Sequence, residues 1–471
     1  MRTKWASRRF TAAKYFALIL ALAPIAAAQQ TAAPTVVTLT QAVESSLRNY
    51  PSIRISQEQL TAAAAGIQLA RTAYLPKIDA LAQLNRATRN NIFGLLLPQP
   101  QGVIPSMSGP VIGTNNLGSV WGSAVGVLVT WEPFDFGLRN AGVAVSQAAR
   151  AQSEAAVKRT QFEVAVAAAD AYLTLLAAQE TVRAAQAGVD RAGVVARTIT
   201  AQVNAQLRPG ADQSRAEAEL AAARTQLIQA QEAVEVAKAN LAQLVGIDPS
   251  QLAVVTGNLA QLPPEQPAPP VKTAANPAAV EQNAIVEQAR AQLRVLEMSY
   301  FPRFYVQGSA YARGSGAETN GTRLGGLNGL GPNVQDYALG FTVTFPIMDL
   351  PALRAREAAQ NAAIRSQAAR SEQIAIDLRA QWNRAAAALN GAKGIAANTP
   401  VQVSAARNAA QQASARYQAG LGNIDEVAEA QRLLTQAEID DALARLNVWR
   451  GLLGIAAAAG DIQPFVAEAT R

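Results

Sequence analysis

The 471-residue chain contains no cysteine and no histidine. Without cysteine there is no disulfide and no thiol chemistry, and an N-terminal lipid anchor on a processed cysteine is excluded. Without histidine the usual zinc ligands and the commonest general base are both gone, so only carboxylates could hold a metal. Neither a cofactor nor an enzymatic activity is expected. Aromatic residues make up only 5% of the chain. Beyond the first 30 positions no stretch offers the ~18 consecutive apolar residues of a membrane-crossing helix. A secreted chain of this kind that still enters a membrane must do so as a closed barrel of strands. The formal net charge of +7 includes Arg2, Lys4, Arg8, Arg9 and Lys14, with no acid before residue 29, so the remainder carries +2. A nearly neutral chain has no electrostatic footprint for nucleic acid.

Those five basic groups precede or enter the apolar run Tyr15 to Ala23, which is followed by Ala26-Ala27-Ala28. This order reads as a cleaved signal peptide over 1–28, directing the chain out of the cytoplasm. The most unusual stretch is Arg139 to Leu207, which has no proline, three glycines and abundant alanine. As a helix its ~70 residues would span about 100 Å, far more than an ordinary domain needs.

Taken in order, Thr40 is a candidate cap for a first helix, and Pro51 opens a second that stops at Tyr74-Leu75-Pro76. Ile78, Ala80, Ala82 and Leu84 then alternate with Asp79, Leu81, Gln83 and Asn85, which reads as a strand over about 76–90. Residues 91–117 read as a long loop. A second strand, about 118–132, carries Val125, Val127, Val129 and two tryptophans on one face, the pattern of a lipid-facing strand. A half-buried soluble hairpin gives the same alternation. The long rod turns at Arg208-Pro209-Gly210. The returning helix, Ala211 to Leu244, carries heptad rows Leu220, Leu227, Val234, Leu241 and Ala223, Ala230, Ala237. Six prolines mark 247–275 as a linker.

The second half repeats the first. Pro51, Tyr74 and Pro76 recur 226 positions on as Pro277, Tyr300 and Pro302, and Thr130, Trp131 and Asp135 recur 214 positions on as Thr344, Phe345 and Asp349. The organisation is then a first repeat over 29–246 with a helical hairpin from about 137, the linker, a second repeat over 276–460, and a tail over 461–471. The second repeat has strands at about 302–313 and 336–348 and a hairpin over about 351–459, with Pro400 read as a kink or short break. One chain supplies four strands, too few to close a barrel, so partner copies are required.

The duplicated Tyr-x-Pro starts, the strand exit Thr130-Trp131-Glu132-Pro133-Phe134-Asp135, and Arg416-Tyr417-Gln418-Ala419-Gly420 before the last helix resemble the TolC family of outer-membrane efflux proteins. The resemblance spans nearly all of the chain after residue 28. It implies an α+β membrane protein: a homotrimer with a 12-stranded barrel in outer-membrane lipid, above a periplasmic tunnel of long antiparallel helices. An equatorial belt would come from the linker, the region near Thr40 and the tail. The implied activity is that of a passive exit duct of a tripartite efflux or type I secretion system, served by a periplasmic adaptor and an inner-membrane transporter. A periplasmic coiled-coil scaffold is the alternative.

By the same resemblance the two helical turns form the gate. Asp212, Asp425, Glu426, Glu429 and Tyr417 are the expected constriction residues, with Glu426 and Glu429 on one helix face. Six carboxylates of that pair, from three copies, would favour cations. An acid in a first helical turn is also favoured by the macrodipole alone. Leu207, Arg208, Pro209, Gly210, Gly420, Leu421 and Gly422 are the expected adaptor-docking tips. The family pattern places a latch arginine where Gly422 stands, and Arg208, on the other turn, is the candidate replacement.

Overall fold

A computed structural model describes residues 35–88, 119–264, 273–318 and 322–470. The expected signal peptide and the 91–117 loop lie outside the described residues.

The chain order is β1 (Thr35–Val37), α1 (Leu39–Asn49), α2 (Pro51–Thr72), β2 (Lys77–Thr88), β3 (Ser119–Phe134), α3 (Leu138–Asn204), α4 (Gly210–Val245) and β4 (Leu252–Val254). The second half follows with α5 (Pro277–Met298), β5 (Arg303–Ser315), β6 (Val334–Thr344), α6 (Leu350–Gln418), α7 (Ile424–Ala459) and α8 (Gln463–Ala469). Helix α3 has 67 residues and α6 has 69, each about 100 Å long at 1.5 Å per residue. Alanine gives both rods high helix propensity and little bulk, so neighbouring helices approach closely. Both heptad rows expected on α4 are buried or half-buried. By length and composition α3 could cross a membrane, but half of its most apolar window is buried inside the protein. Helix α6 runs through Pro400 without a break.

The cap of α1 differs from the sequence expectation. Thr38, not Thr40, is the N-cap: its side chain accepts from the Gln41 N–H at 3.3 Å, while the Gln41 side chain accepts from the Thr38 N–H at 3.0 Å. The reciprocal box needs Gln or Glu three residues after the cap. Thr38 has Gln41 there, whereas Thr40 has Val43.

Four strands form one antiparallel sheet in the order β2-β3-β5-β6. Its register collects the apolar alternates on one face: Ile78 stands opposite Val129, Val129 opposite Gly308, and Gly308 opposite Leu339. Val125, Val127, Trp131, Tyr337, Leu339 and Phe341 on this face are all exposed. The other face carries Lys77, Thr130, Gln307 and the Arg313–Asp336 ion pair at 3.1 Å. The helices continue the strand order, with α2 packed on α3, α3 on α5, and α5 on α6. Sheet and helical layer therefore end in matching open edges.

Midway along the rods lies the main core. The segment read as a linker contributes β4, which pairs in parallel with β1. The Tyr172 hydroxyl lies 2.7 Å from the Val255 carbonyl and 3.2 Å from that of Val37, holding both strands to α3. Trp449 Nε1 donates to the Gln261 carbonyl at 2.9 Å, and Phe465 and Val466 of α8 join the same core. Linker, N-terminal segment and tail thus meet at one level of the rods.

Candidate functional site

Both helical hairpins turn at the end remote from the sheet, and the two turns are built alike. Helix α3 ends at Asn204 with Ala205 as its cap, after which Gln206 takes φ +60° and the Leu207 N–H donates to the Gln202 carbonyl at 2.8 Å. Helix α6 ends at Gln418 with Ala419 as its cap, Gly420 takes φ +77°, and the Leu421 N–H donates to the Arg416 carbonyl at 2.8 Å. These left-handed closures satisfy the last carbonyls of each rod. Glycine suits the second turn because it adopts φ > 0 freely. Pro209 then leads into α4 at Gly210, whereas Asn423 caps α7 by accepting from the Glu426 N–H at 2.9 Å. Leu207 and Leu421 project from the two turns, each 73% exposed.

Tyr417 joins the hairpins. Its ring is buried in a small core with Ile199 of α3, Ala216 of α4, and Ile424 and Val427 of α7. Its hydroxyl donates to Asp212 Oδ2 at 2.9 Å, from the last turn of α6 to the first turn of α4. The Arg208 guanidinium stands 4.3 Å from the centre of the Tyr417 ring and also donates to the Tyr417 carbonyl. One residue is thus held by a carboxylate at its tip, a cation on its face and a donor at its backbone. Burial, and then the hydrogen bond to Asp212, push the Tyr417 phenol up to about 12, so it stays a donor at physiological pH.

The other expected constriction acids are not joined to Tyr417. Asp425 pairs with Arg215 of α4 at 3.1 Å, Glu426 lies 3.8 Å from Arg416, and Glu429 pairs with Arg432 at 2.7 Å. Arg432 also approaches Glu219 of α4 at 3.8 Å. The sequence reading singled out these acids but missed Arg215, Glu219 and Arg432. Their spacing carried a signal, since Arg215–Glu219 and Glu429–Arg432 are i,i+4 and i,i+3 pairs. Gly422 sits where an added Cβ would come within 3.0 Å of Glu426 Oε2. A cleft of about 400 Å³ opens beside this cluster between α3, α4 and α7, lined by Gly188, Ala216, Glu219, Glu429 and Arg432. Among the described residues no group of three or more acids is placed to hold a metal ion.

Duplicated hairpins ending in paired turns, on a sheet with one apolar face, match a known family model. The outer membrane efflux protein model covers residues 42–247 and 273–461. The chain belongs to the outer membrane efflux protein family. No curated protein sequence matches it. Among solved structures the efflux protein resembles the outer-membrane channel OprN, with 21% identity, a TM-score of 0.69, and coverage of 90% of this chain and 89% of that one. CusC gives a TM-score of 0.73 at 13% identity, over 92% and 96% of the two chains. The open state of the MtrE channel of Neisseria gonorrhoeae gives 0.66 at 18% identity, over 90% and 89%. At these identities the likeness is one of fold. Family membership makes this an outer-membrane efflux channel and does not favour the scaffold alternative. The family is one of channels, not of enzymes.

Proposed function

We propose that three copies of this chain form a passive exit duct whose periplasmic end is closed by the paired turns. The duct works with a periplasmic adaptor, received at the exposed turns around Leu207 and Leu421, and with an inner-membrane transporter that supplies the driving force. The observation that carries this reading is the Tyr417–Asp212 hydrogen bond, which with the Arg208–Tyr417 contact and the Arg215–Asp425 and Arg432–Glu219 ion pairs ties the α6–α7 hairpin to the α3–α4 hairpin at the tips. With it intact the two hairpins move together. With it broken, one of these ties is lost, α6 and α7 swing away from α3 and α4 more readily at that end, and the passage widens.

A hydrogen bond to a charged group contributes about 1.5–3 kcal/mol. A tenfold shift in an equilibrium corresponds to ~1.4 kcal/mol. Tyr417→Phe and Asp212→Asn should therefore each raise single-channel conductance, or the open fraction, about tenfold in planar bilayers. Unchanged conductance in both variants would remove the tips as the gate. The acids Asp425, Glu426 and Glu429 add a negative bias at the same opening, tempered by their arginine partners.

A further inference from the structure

Trp121 and Trp131 stand on the apolar face of β3, ten positions apart. At about 3.4 Å per residue and a strand tilt of about 40°, their height difference across the membrane is about 26 Å, matching the apolar band of an outer-membrane barrel. Trp131 marks the edge of that band nearest the helices, because its Nε1 donates to the Tyr74 carbonyl just past the end of α2 at 3.2 Å. Trp121 therefore marks the opposite edge, at the headgroups of the outer leaflet, a level that tryptophan favours.

Arg86 stands opposite Trp121 in the β2–β3 register, on the same face. Among the described strand residues it is the one charged side chain on that face. Every other charge on these strands lies on the opposite face and has a partner of opposite sign: Lys77 with Asp79 at 3.5 Å, Arg303 with Glu132 at 3.4 Å, and Arg313 with Asp336 at 3.1 Å. No acid among the described residues pairs with Arg86. Its guanidinium is nevertheless held in place. The group stands 5.1 Å from the centre of the Trp121 ring, and Nε donates to the Ser119 hydroxyl at 2.8 Å. The side chain is exposed, and neither terminal nitrogen has a hydrogen-bond partner among the described residues.

We propose that Arg86, positioned by Trp121 and Ser119, binds the phosphate of an outer-leaflet glycolipid. A cation on a lipid-facing strand is tolerated only near the headgroups, where Arg86 is placed. A guanidinium fixed at Nε still offers two terminal N–H groups, the fork that holds a phosphate through two parallel hydrogen bonds. The ligand is thus a membrane-borne phosphate, and the outer position selects the phosphorylated glycolipid of that leaflet over the phospholipid of the inner one. Below the ring, Leu84, Ala82 and Val125 continue the face without charge, a surface for acyl chains. The proposal goes beyond the duct reading. It depends on which side of the membrane the helices occupy and not on how the tips close.

The test is a titration of the purified full-length channel, in detergent, with diphosphoryl lipid A, read by native mass spectrometry. Arg86→Gln should bind about tenfold more weakly than the unaltered channel, and Arg86→Lys, which keeps the charge but loses the fork, should fall between them. Trp121→Leu frees the guanidinium without removing it and should weaken binding about threefold, so the site is tested even where Arg86→Gln does not assemble. Fully dephosphorylated lipid A should bind all four proteins alike. Equal binding of diphosphoryl lipid A to the unaltered channel and to the Arg86 and Trp121 variants would overturn the site. Displacement of the lipid by millimolar inorganic phosphate would reveal a free-anion site and overturn the lipid as ligand. Phosphatidylglycerol binding as tightly, with the same dependence on Arg86, would overturn the glycolipid as the source of the phosphate.

Discussion

The two turns at the tips are copies of one design, yet they carry different chemistry. The 214-position offset that relates the rods also relates the turns: Gln206 matches Gly420, Leu207 matches Leu421, Arg208 matches Gly422, and Asp212 matches Glu426. The left-handed closure and the projecting leucine are kept in both. The cation is present only in the first copy, and the tyrosine only in the second, because Val203 stands where Tyr417 is matched. The latch is thus complementary, and each turn is incomplete without the other. Elsewhere the copies remain alike. Asn49 donates to the Val245 carbonyl at the end of α4, and Asn276, one position past the 226-position match of Asn49, donates to the Ala457 and Ala458 carbonyls at the end of α7. Gly246 and Gly460 close those two helices at φ +79° and +83°. Duplication preserved the wall and diverged at the tips.

The largest effect tests the likeness of the walls. Val127 and Phe341 are matched positions on the apolar face, so Val127→Lys and Phe341→Lys should each destabilise the inserted sheet by about 2–4 kcal/mol at mid-membrane depth. The measurement is the fraction of heat-resistant oligomer on gels. Normal insertion of either variant would mean that the apolar face has been assigned wrongly in that repeat.

The next effect tests the unlikeness of the turns. Arg208→Ala removes a cation over a ring and a donor to a carbonyl, together about 1–3 kcal/mol, and should raise bilayer conductance several-fold. Gly422→Ala, at the matched position, crowds the flexible end of Glu426, with the Arg416 Cβ and the Tyr417 nitrogen at ordinary contact distance, and should leave conductance unchanged. Equal responses would break the claim that the cation works from the first turn alone.

Alkali probes the same asymmetry. The folded state favours the neutral Tyr417 phenol, whose ordinary value of 10 is raised to about 12. Its contribution is complete below pH ~10 and is lost as pH rises through 12. Conductance should stay flat to about pH 9 and climb above pH 10, and Tyr417→Phe should show no such climb. The smallest effect belongs to Glu426→Gln with Glu429→Gln. Both acids face arginines and are partly screened, so cation selectivity should fall by less than about twofold. A complete loss of selectivity would mean that these two acids act as a free ring.

The fold was legible because two periods were strong. Alternation marked β2 and β3, alanine-rich proline-free runs marked the rods, and the double offset fixed the order of elements in the second half. The cap at Thr38 is hidden because Thr40 is an equally good capping residue type, and only the reciprocal partner Gln41 distinguishes the two. Strand β4 was hidden inside a proline-rich segment, because a three-residue strand paired with one more than 200 positions away leaves no local period. Single residues at the tips were legible, but their pairing was not. Asp212 and Tyr417 are 205 positions apart, and only the packing of two hairpins brings them to 2.9 Å. The match of Arg208 with Gly422 did lie in the sequence, since the offset that aligned the strands reaches the turns without a gap.

A chain made of two like halves can spend their likeness in two ways. Where the halves stay alike, as at the Gly246 and Gly460 closures, a wall can be continued by repeating one joint. Where they differ, as at Arg208 and Gly422, a substitution alters one hairpin and has no twin. The ease of opening can therefore be tuned one residue at a time, with the barrel and the belt untouched.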